Sequence, residues 1–369
     1  MRLRRVALLL VAAVIPLCAS SPAATAAVQA SPGSGSASPG NGQAAYTWTE
    51  QHPTSSPLPR DSAAVAYDAA TGNVMVSGGE ASCSPGLPFV YTDTWTWDGT
   101  AWQQVASDAP AVFGVPFAYD DATKTVVLIW APPCGSLTTS QWNGGTWSDN
   151  GGINSGNAWP DPDGAMAYDP ATEALLLWSP TPGYQQSEPS TPPPGSSTWS
   201  WDGSEWSQLS PAIEPPDSLG WTRDVAMVDD PASGQLLLYG EHSQSMWAWN
   251  GTTWSEVPLP QAPSARVGAS VVYDADLHEV LLFGGATVSG YVDQAKPYQA
   301  ETYTLGAPLN DLWAWDGTTW SELHPVTTPP ARFYSQMAYD AATGQVVLFG
   351  GSVNTVADVA DTWVYGPTS

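Results

Sequence analysis

Apolar and polar residues run together and break at the same places several times along this chain. The stretch MAYDAATGQVVLFGG, residues 337–351, returns almost unchanged as VAYDAATGNVMVSGG at 65–79 and, more worn, as VVYDADLHEVLLFGG at 271–285. Each copy predicts the same elements. A short apolar strand ends in Tyr-Asp, and a tight turn follows in which Asp caps the backbone and Gly takes a positive φ. A second strand such as QVVLF or QLLLY is apolar at consecutive positions, so it is buried on both faces. After a loop of variable length comes TWTW, TWSW, MWAW or LWAW, then Asp-Gly or Asn-Gly, then TTWSEL or a variant of it. Asn-Gly or Asp-Gly between two strand-like runs is a strong hairpin signal. Each unit therefore reads as a four-stranded antiparallel meander.

The residue before the turn Asp is Tyr67, Tyr119, Tyr168, Asp229, Tyr273 or Tyr339, at steps of 52, 49, 61, 44 and 66 residues. Six units result. A four-stranded sheet with Trp on both faces cannot bury those faces alone, whereas stacking six such sheets around an axis buries all of them. The expected fold is all-β, a six-bladed β-propeller of four-stranded antiparallel blades. The last unit stops at DTWVYGPTS, short of its fourth strand. The N-terminal stretch YTWTEQHPTSSPLPR, 46–60, matches TTWSELHPVTTPPAR, 318–332. The N-terminal strand is thus expected to complete the last blade and close the ring.

The Gly pairs (Gly78-Gly79, Gly284-Gly285, Gly350-Gly351), the turn Asp and the paired aromatics (Trp315 with Trp320) resemble the kelch repeat, as in the propeller domain of galactose oxidase. The resemblance covers about 46–366 and speaks for the fold more than for function, since kelch propellers serve enzymes and binding proteins alike. Blade two departs from it with Trp130-Ala131 at the Gly-pair position, and blade three with Ser179-Pro180.

The rest of the chain supplies an address. MRLRR followed by VALLLVAAVIPL, with ATA at 24–26, reads as an export signal over 1–26. Cys18 follows Leu17 where a lipid-attachment signal would want a small residue, so the expectation is a secreted protein that does not associate with membranes once the signal is removed. Residues 27–45 are rich in Gly, Ser, Ala and Pro and read as a flexible linker, 46–366 as the propeller, and 367–369 as a tail. The full chain has a net charge of −26; without Arg2, Arg4 and Arg5 the rest keeps 6 basic and 35 acidic residues, a net of −29. Such a surface repels phosphate, which argues against nucleic acid as a partner. A monomer is expected.

Sixteen of the twenty Trp fall at repeat positions, which marks them as packing residues. Trp130 and Trp178 stand at the ends of second strands. Trp159 and Trp221 stand in loops leading into first strands and are candidates for ligand contact. Turns between first and second strands are short and uniform. Loops on the opposite face (80–92, 132–139, 180–197 and 286–310) are long and dissimilar, which is where binding usually resides. The last holds Tyr291, Lys296, Tyr298 and Tyr303; Tyr291 and Tyr298 suit a sugar or peptide, and a solvated flap is the alternative reading.

Seven residues before each anchor stand Arg60, Val112, Asp161, Thr222, Arg266 and Arg332, with Arg223 one residue on. Four of six cations are thus expected around one arc of the axial mouth. Either they offer forked donors to an anionic ligand, or they bond loop carbonyls and an Asp of the next blade. Cys83 and Cys134 occupy nearly equivalent loop positions, and a disulfide between them is expected in an oxidising compartment. The four His (His52, His242, His278, His324) form no cluster with metal-ligand spacing, so neither a metal nor another cofactor is expected. Asp161 with the Arg arc would give an acid/base site of the epimerase or mutarotase kind, although PDPDG is equally a turn. The leading expectation is a non-catalytic propeller that binds an extracellular glycan, peptide or protein through its variable-loop face. A carbohydrate-active enzyme and an extracellular structural scaffold are the alternatives.

Overall fold

The computed structural model describes residues 45–81, 89–130, 137–152, 162, 164–180, 195–219, 225–289 and 304–368. The described chain forms one compact unit from Ala44 onward and is all-β, its only described helix being a single 3-10 turn, Asp217–Leu219. Among the described residues no helix is long and apolar enough to cross a membrane.

Among the described residues there are nine antiparallel sheets, and six of them have four strands. Sheet one is Ala64–Asp68, Asn73–Ser77, Thr94–Trp97 and Trp102–Ala106; sheets two to five repeat that order along the chain. Sheet six takes its first three strands from Gln336–Asp340, Gln345–Phe349 and Thr362–Pro367, and its fourth from the other end of the chain, Tyr46–Gln51. That ladder runs from Tyr46 opposite Pro367 to Gln51 opposite Thr362, with Trp48 opposite Tyr365. It continues to a bond from the Thr368 amide to the Ala45 carbonyl at 2.7 Å, so Pro367 and Thr368, expected as tail, extend the pairing. The remaining sheets are small. One pairs Glu80–Ala81 with Phe89–Val90, another pairs Ser352–Asn354 with Ala357–Asp358, and the third joins Arg266–Val267, Ala286–Ser289 and Thr304–Pro308. The two ends of the 286–310 loop, Ala286–Ser289 and Thr304–Pro308, are thus paired strands, and residues 290–303, on which the flap reading bears, lie outside the described residues.

The core is divided. Six clusters of buried side chains each draw on two sheets that are neighbours in the repeat order, and one joins sheet six to sheet one through Val347, Phe349, Val364, Val76 and Trp97. The first strands contact one another in the same sequence, from sheet one through sheet six and back to sheet one. Each sheet carries an aromatic pair across its third and fourth strands: Trp97 with Trp102 at 5.4 Å, Trp142 with Trp147 at 5.6 Å, Trp201 with Trp206 at 5.4 Å, Trp249 with Trp254 at 5.3 Å and Trp315 with Trp320 at 5.8 Å between ring centroids. In sheet six the pair is Trp48 with Tyr365 at 5.1 Å, made from opposite ends of the chain. The repeat-position tryptophans thus serve packing, each ring filling space that no single sheet closes. Trp178, outside the repeat, is fully buried as well.

Neighbouring sheets are also tied by polar bonds. Fourth-strand indoles donate to a Thr of the preceding sheet: Trp102 to Thr362 at 2.8 Å, and Trp147 to Thr94, Trp206 to Thr139 and Trp254 to Thr198 at 2.9 Å each. In the fourth and fifth sheets the acceptor position holds Met246 and Leu312. The indole N–H groups of Trp320 and Trp48, which would reach them, are buried without a partner among the described residues.

Candidate functional site

The sequence placed three arginines at the start of first strands, and the structure turns all three inward. Arg60, Arg266 and Arg332 are 0 % exposed. Their guanidiniums fork onto Asp93, Asp311 and Asp361, with Nη1 contacts of 2.5, 2.7 and 2.6 Å and Nη2 contacts of 2.9, 2.8 and 2.7 Å. Nη1 also donates to the carbonyl of Gly78, Gly284 or Gly350, and Nε to the carbonyl two residues upstream. On Arg266 a further bond to Ser264 Oγ uses the fifth donor. Each Asp accepts in addition from the indole of Trp95, Trp313 or Trp363 at 2.7 Å. Burial raises the Asp93 and Asp311 carboxyls, but the arginine bonds and charge outweigh it and hold both below the usual range. The partner carboxylate precedes the third strand of the same four-stranded sheet whose first strand the arginine precedes, whereas one of the two sequence-based alternatives places it in the next blade. The reason is local: each Asp stands at the entry to the third strand, beside the end of the second. The arginine therefore pins the entry of the first strand to both.

The Gly pairs have the complementary task. The amides of Gly79, Gly285 and Gly351 donate to the carbonyls of Val112, Arg332 and Arg60 at 2.8, 2.9 and 2.9 Å, each in the sheet that follows. A Cβ on Gly284 or Gly350 would stand 2.7 or 2.6 Å from that same carbonyl oxygen, so the close approach requires glycine.

Two residues beyond each of these positions the backbone is left-handed: Ser62 (φ 51°), Gly114 (φ 58°), Gly268 (φ 69°) and Tyr334 (φ 55°). These residues are joined in a belt. The Tyr334 amide donates to Gly268 O at 2.7 Å, Ser62 to Tyr334 O at 2.9 Å, and Gly114 to Ser62 O at 2.8 Å. The belt borders a cavity of about 210 Å³ lined by the starts of the first strands of all six four-stranded sheets, through residues such as Ala64, Phe117, Ala165, Met227, Val271 and Met337. The cavity lies at the end of the first strands opposite the uniform turns. None of the three arginines lines it.

Glu241 lines this cavity. It occupies the position of the second glycine in the pair, after Gly240, and is the residue the sequence reading passed over; Gly-Glu in place of Gly-Gly was the available signal. The side chain is 1 % exposed. Its Oε2 accepts from the Ala269 amide of the next sheet at 2.8 Å, and its main-chain carbonyl from the Arg266 amide at 3.3 Å. Among the described residues nothing bonds Oε1. Burial pushes the carboxyl up to about 8, against the lowering pull of the Ala269 amide and the Arg266 charge.

A second buried acid sits where sheet six meets sheet one. Asp61 Oδ2 and Asp358 Oδ1 both contact Ser352 Oγ, at 2.8 and 2.5 Å. Burial is the main cause that pushes Asp61 up to about 6, with the Ser352 bond opposing and Asp358 and Glu80 adding to it.

The remaining expected site residues (Arg223, Trp159, Trp221, Tyr291, Tyr298 and Asp161) and the expected Cys83–Cys134 disulfide lie outside the described residues. Among the described residues no group of three or more His, Cys, Asp or Glu is arranged to hold a metal ion.

No protein-family model matches the chain, and no curated protein matches it in sequence. Its fold is similar to the solved structure of YjhT, with a TM-score of 0.56 and 13 % identity, over 84 % of this chain and 95 % of that one. At that identity the likeness speaks for the fold alone.

Proposed function

We propose that the chain is an exported, closed six-bladed propeller of the kelch type, and that it binds an extracellular glycan or peptide end at the axial cavity on its variable-loop face. The cycle of contacts between first strands and the shared last sheet support the closed ring. The Gly pairs and turn Asp support the kelch assignment. Glu241 carries the functional reading. A repeat protein gains nothing in packing from a buried carboxyl where glycine serves the equivalent sheets, and an ionisable group kept in a cavity at the cost of desolvation marks a site.

A carbohydrate-active enzyme is the second reading, favoured by one observation: a carboxyl that titrates near neutrality is poised to exchange protons. In that reading Glu241, and not the arginines, is the acid/base group.

Binding to a glycan and peptide array separates these readings, using the wild-type chain and an Ala226→Phe variant that fills the cavity. Loss of binding in a variant with unchanged thermal stability supports the axial site, and full binding places the ligand elsewhere on the surface. For a ligand found in this way, Glu241→Gln should weaken binding under the first reading, with no turnover to lose. Under the second it should abolish anomeric or epimeric exchange followed by NMR.

A further inference from the structure

Among the described residues the axial cavity holds one carboxyl side chain, Glu241, with an open oxygen and no counter-ion. Glu241 Oε2 is satisfied by the Ala269 amide at 2.8 Å, while Oε1 has no partner among the described residues. Three titratable groups face it. Arg266 lies nearest in charge, but its guanidinium is already forked onto Asp311. Tyr239 comes from the same sheet, and its phenol is held above its usual value first by burial and then by the Glu241 charge. Tyr334 borders the cavity from sheet six. None of these delivers a net positive charge. The chain as a whole is strongly acidic, so its field gathers cations and repels anions.

We propose that the axial cavity takes a small ligand carrying a protonated amine, which seats its ammonium against the open oxygen of Glu241. This rests on the reading of the cavity as the binding site and names the ligand class it accepts. The ligand supplies the one charge the site lacks, so the buried carboxylate becomes a paired ion. Because burial holds the empty-site carboxyl protonated at neutral pH, seating the ammonium releases that proton to solvent, and binding is linked to pH. An acidic sugar would meet a protonated carboxyl and, among the described residues, no free cation, in a strongly acidic chain whose field repels it. A neutral sugar would gain only a neutral hydrogen bond.

The test is calorimetric titration of the full exported chain with glucosamine, glucose, glucuronate and n-butylamine, at about pH 6 in two buffers of different ionisation enthalpy. The expected result is that glucosamine binds at least about ten-fold more tightly than glucose, with glucuronate weakest. Binding of glucosamine should release close to one proton per ligand at about pH 6, a release that falls to zero at about pH 8, where its own amine deprotonates. Glu241→Gln, which keeps the acceptor for Ala269, should remove both the preference and the proton release. Equal binding of glucose and glucosamine, a preference for glucuronate, binding without proton release, or binding unchanged in Glu241→Gln overturns the inference while leaving the cavity as a site. Binding of n-butylamine with proton release, in the absence of sugar binding, sustains the amine and removes the glycan. If none of the four binds, the cavity reading falls and takes the inference with it.

Discussion

The amide of Gly351 donates to the carbonyl of Arg60 at 2.9 Å, and through that bond the last sheet of the chain meets the first. The two residues are 291 positions apart, yet the contact is the same one that joins Gly285 to Arg332 and Gly79 to Val112 between successive sheets. A junction between chain ends is thus built like a junction between neighbours. Gly351 has φ +94°, and a Cβ there would lie 2.8 Å from the Ser335 backbone nitrogen. Gly351→Ala should cost about 1–3 kcal/mol from the backbone conformation alone, more with the clash, as read from urea unfolding. An unchanged midpoint would mean that the junction carries no strain.

Removing the N-terminal strand should be more severe. Trp48 is buried against Tyr365 and Phe283, with centroids at 5.1 and 5.3 Å. Trp48→Ala should cost about 3–5 kcal/mol, and deletion of 45–51 should expose the edge of sheet six and promote self-association. Sedimentation and denaturant titration check the two effects.

The inter-sheet indole bonds give a comparison within one molecule. Thr198→Val keeps the shape but leaves the Trp254 N–H buried and unpaired, for a loss of about 1–3 kcal/mol. Trp320 already lacks an acceptor. Trp320→Phe should therefore cost less than Trp254→Phe, by roughly the value of one hydrogen bond, about 1 kcal/mol. Equal losses would show that the bonds add nothing to packing.

Arg332→Ala leaves Asp361 beside a void with two lost hydrogen bonds, and breaking such a buried pair should cost about 3–5 kcal/mol. Arg332→Lys should recover only part of it, since an ammonium cannot fork. Thermal unfolding reads both. A fully stable Arg332→Ala variant would return the arginine to the list of surface ligands.

Stability should be greatest on the acid side of neutrality. Asp61 and Asp229 are each pushed up to about 6, and Glu241 to about 8, in every case first by burial. Stability from a carboxyl with a raised folded value is fully present below its unfolded value and is lost as pH rises through the folded one. The loss should therefore extend from about pH 4 to about pH 8. Asp93 and Asp311 are held low, so their contribution is present above the usual carboxylate value and disappears in stronger acid. The melting temperature should peak near about pH 5. Asp61→Asn should gain on wild type by about 2–3 kcal/mol at pH 8 and little at pH 4. A melting temperature that rises steadily from pH 5 to pH 8 would contradict the assignment of all three acids.

The sequence by itself determined whatever is repeated. Recurring YD turns, paired Trp and Asn-Gly or Asp-Gly hairpins dictate six four-stranded meanders, because each copy meets the same local demand. The match of 46–60 to 318–332 even shows which strand the last sheet borrows. Tertiary structure alone decided what the singular residues do. Arg60, Arg266 and Arg332 stand where a mouth was expected and look available in the sequence, but each is claimed by a carboxylate about 30 to 45 residues away, at the entry to a third strand. Glu241 looks like one more exposed acid after a strand, yet the approach of sheet five to sheet four buries it at the cavity. Periodicity records the packing that every sheet shares. A side chain that occurs once takes its charge state and its partners from neighbours that only the tertiary fold brings together.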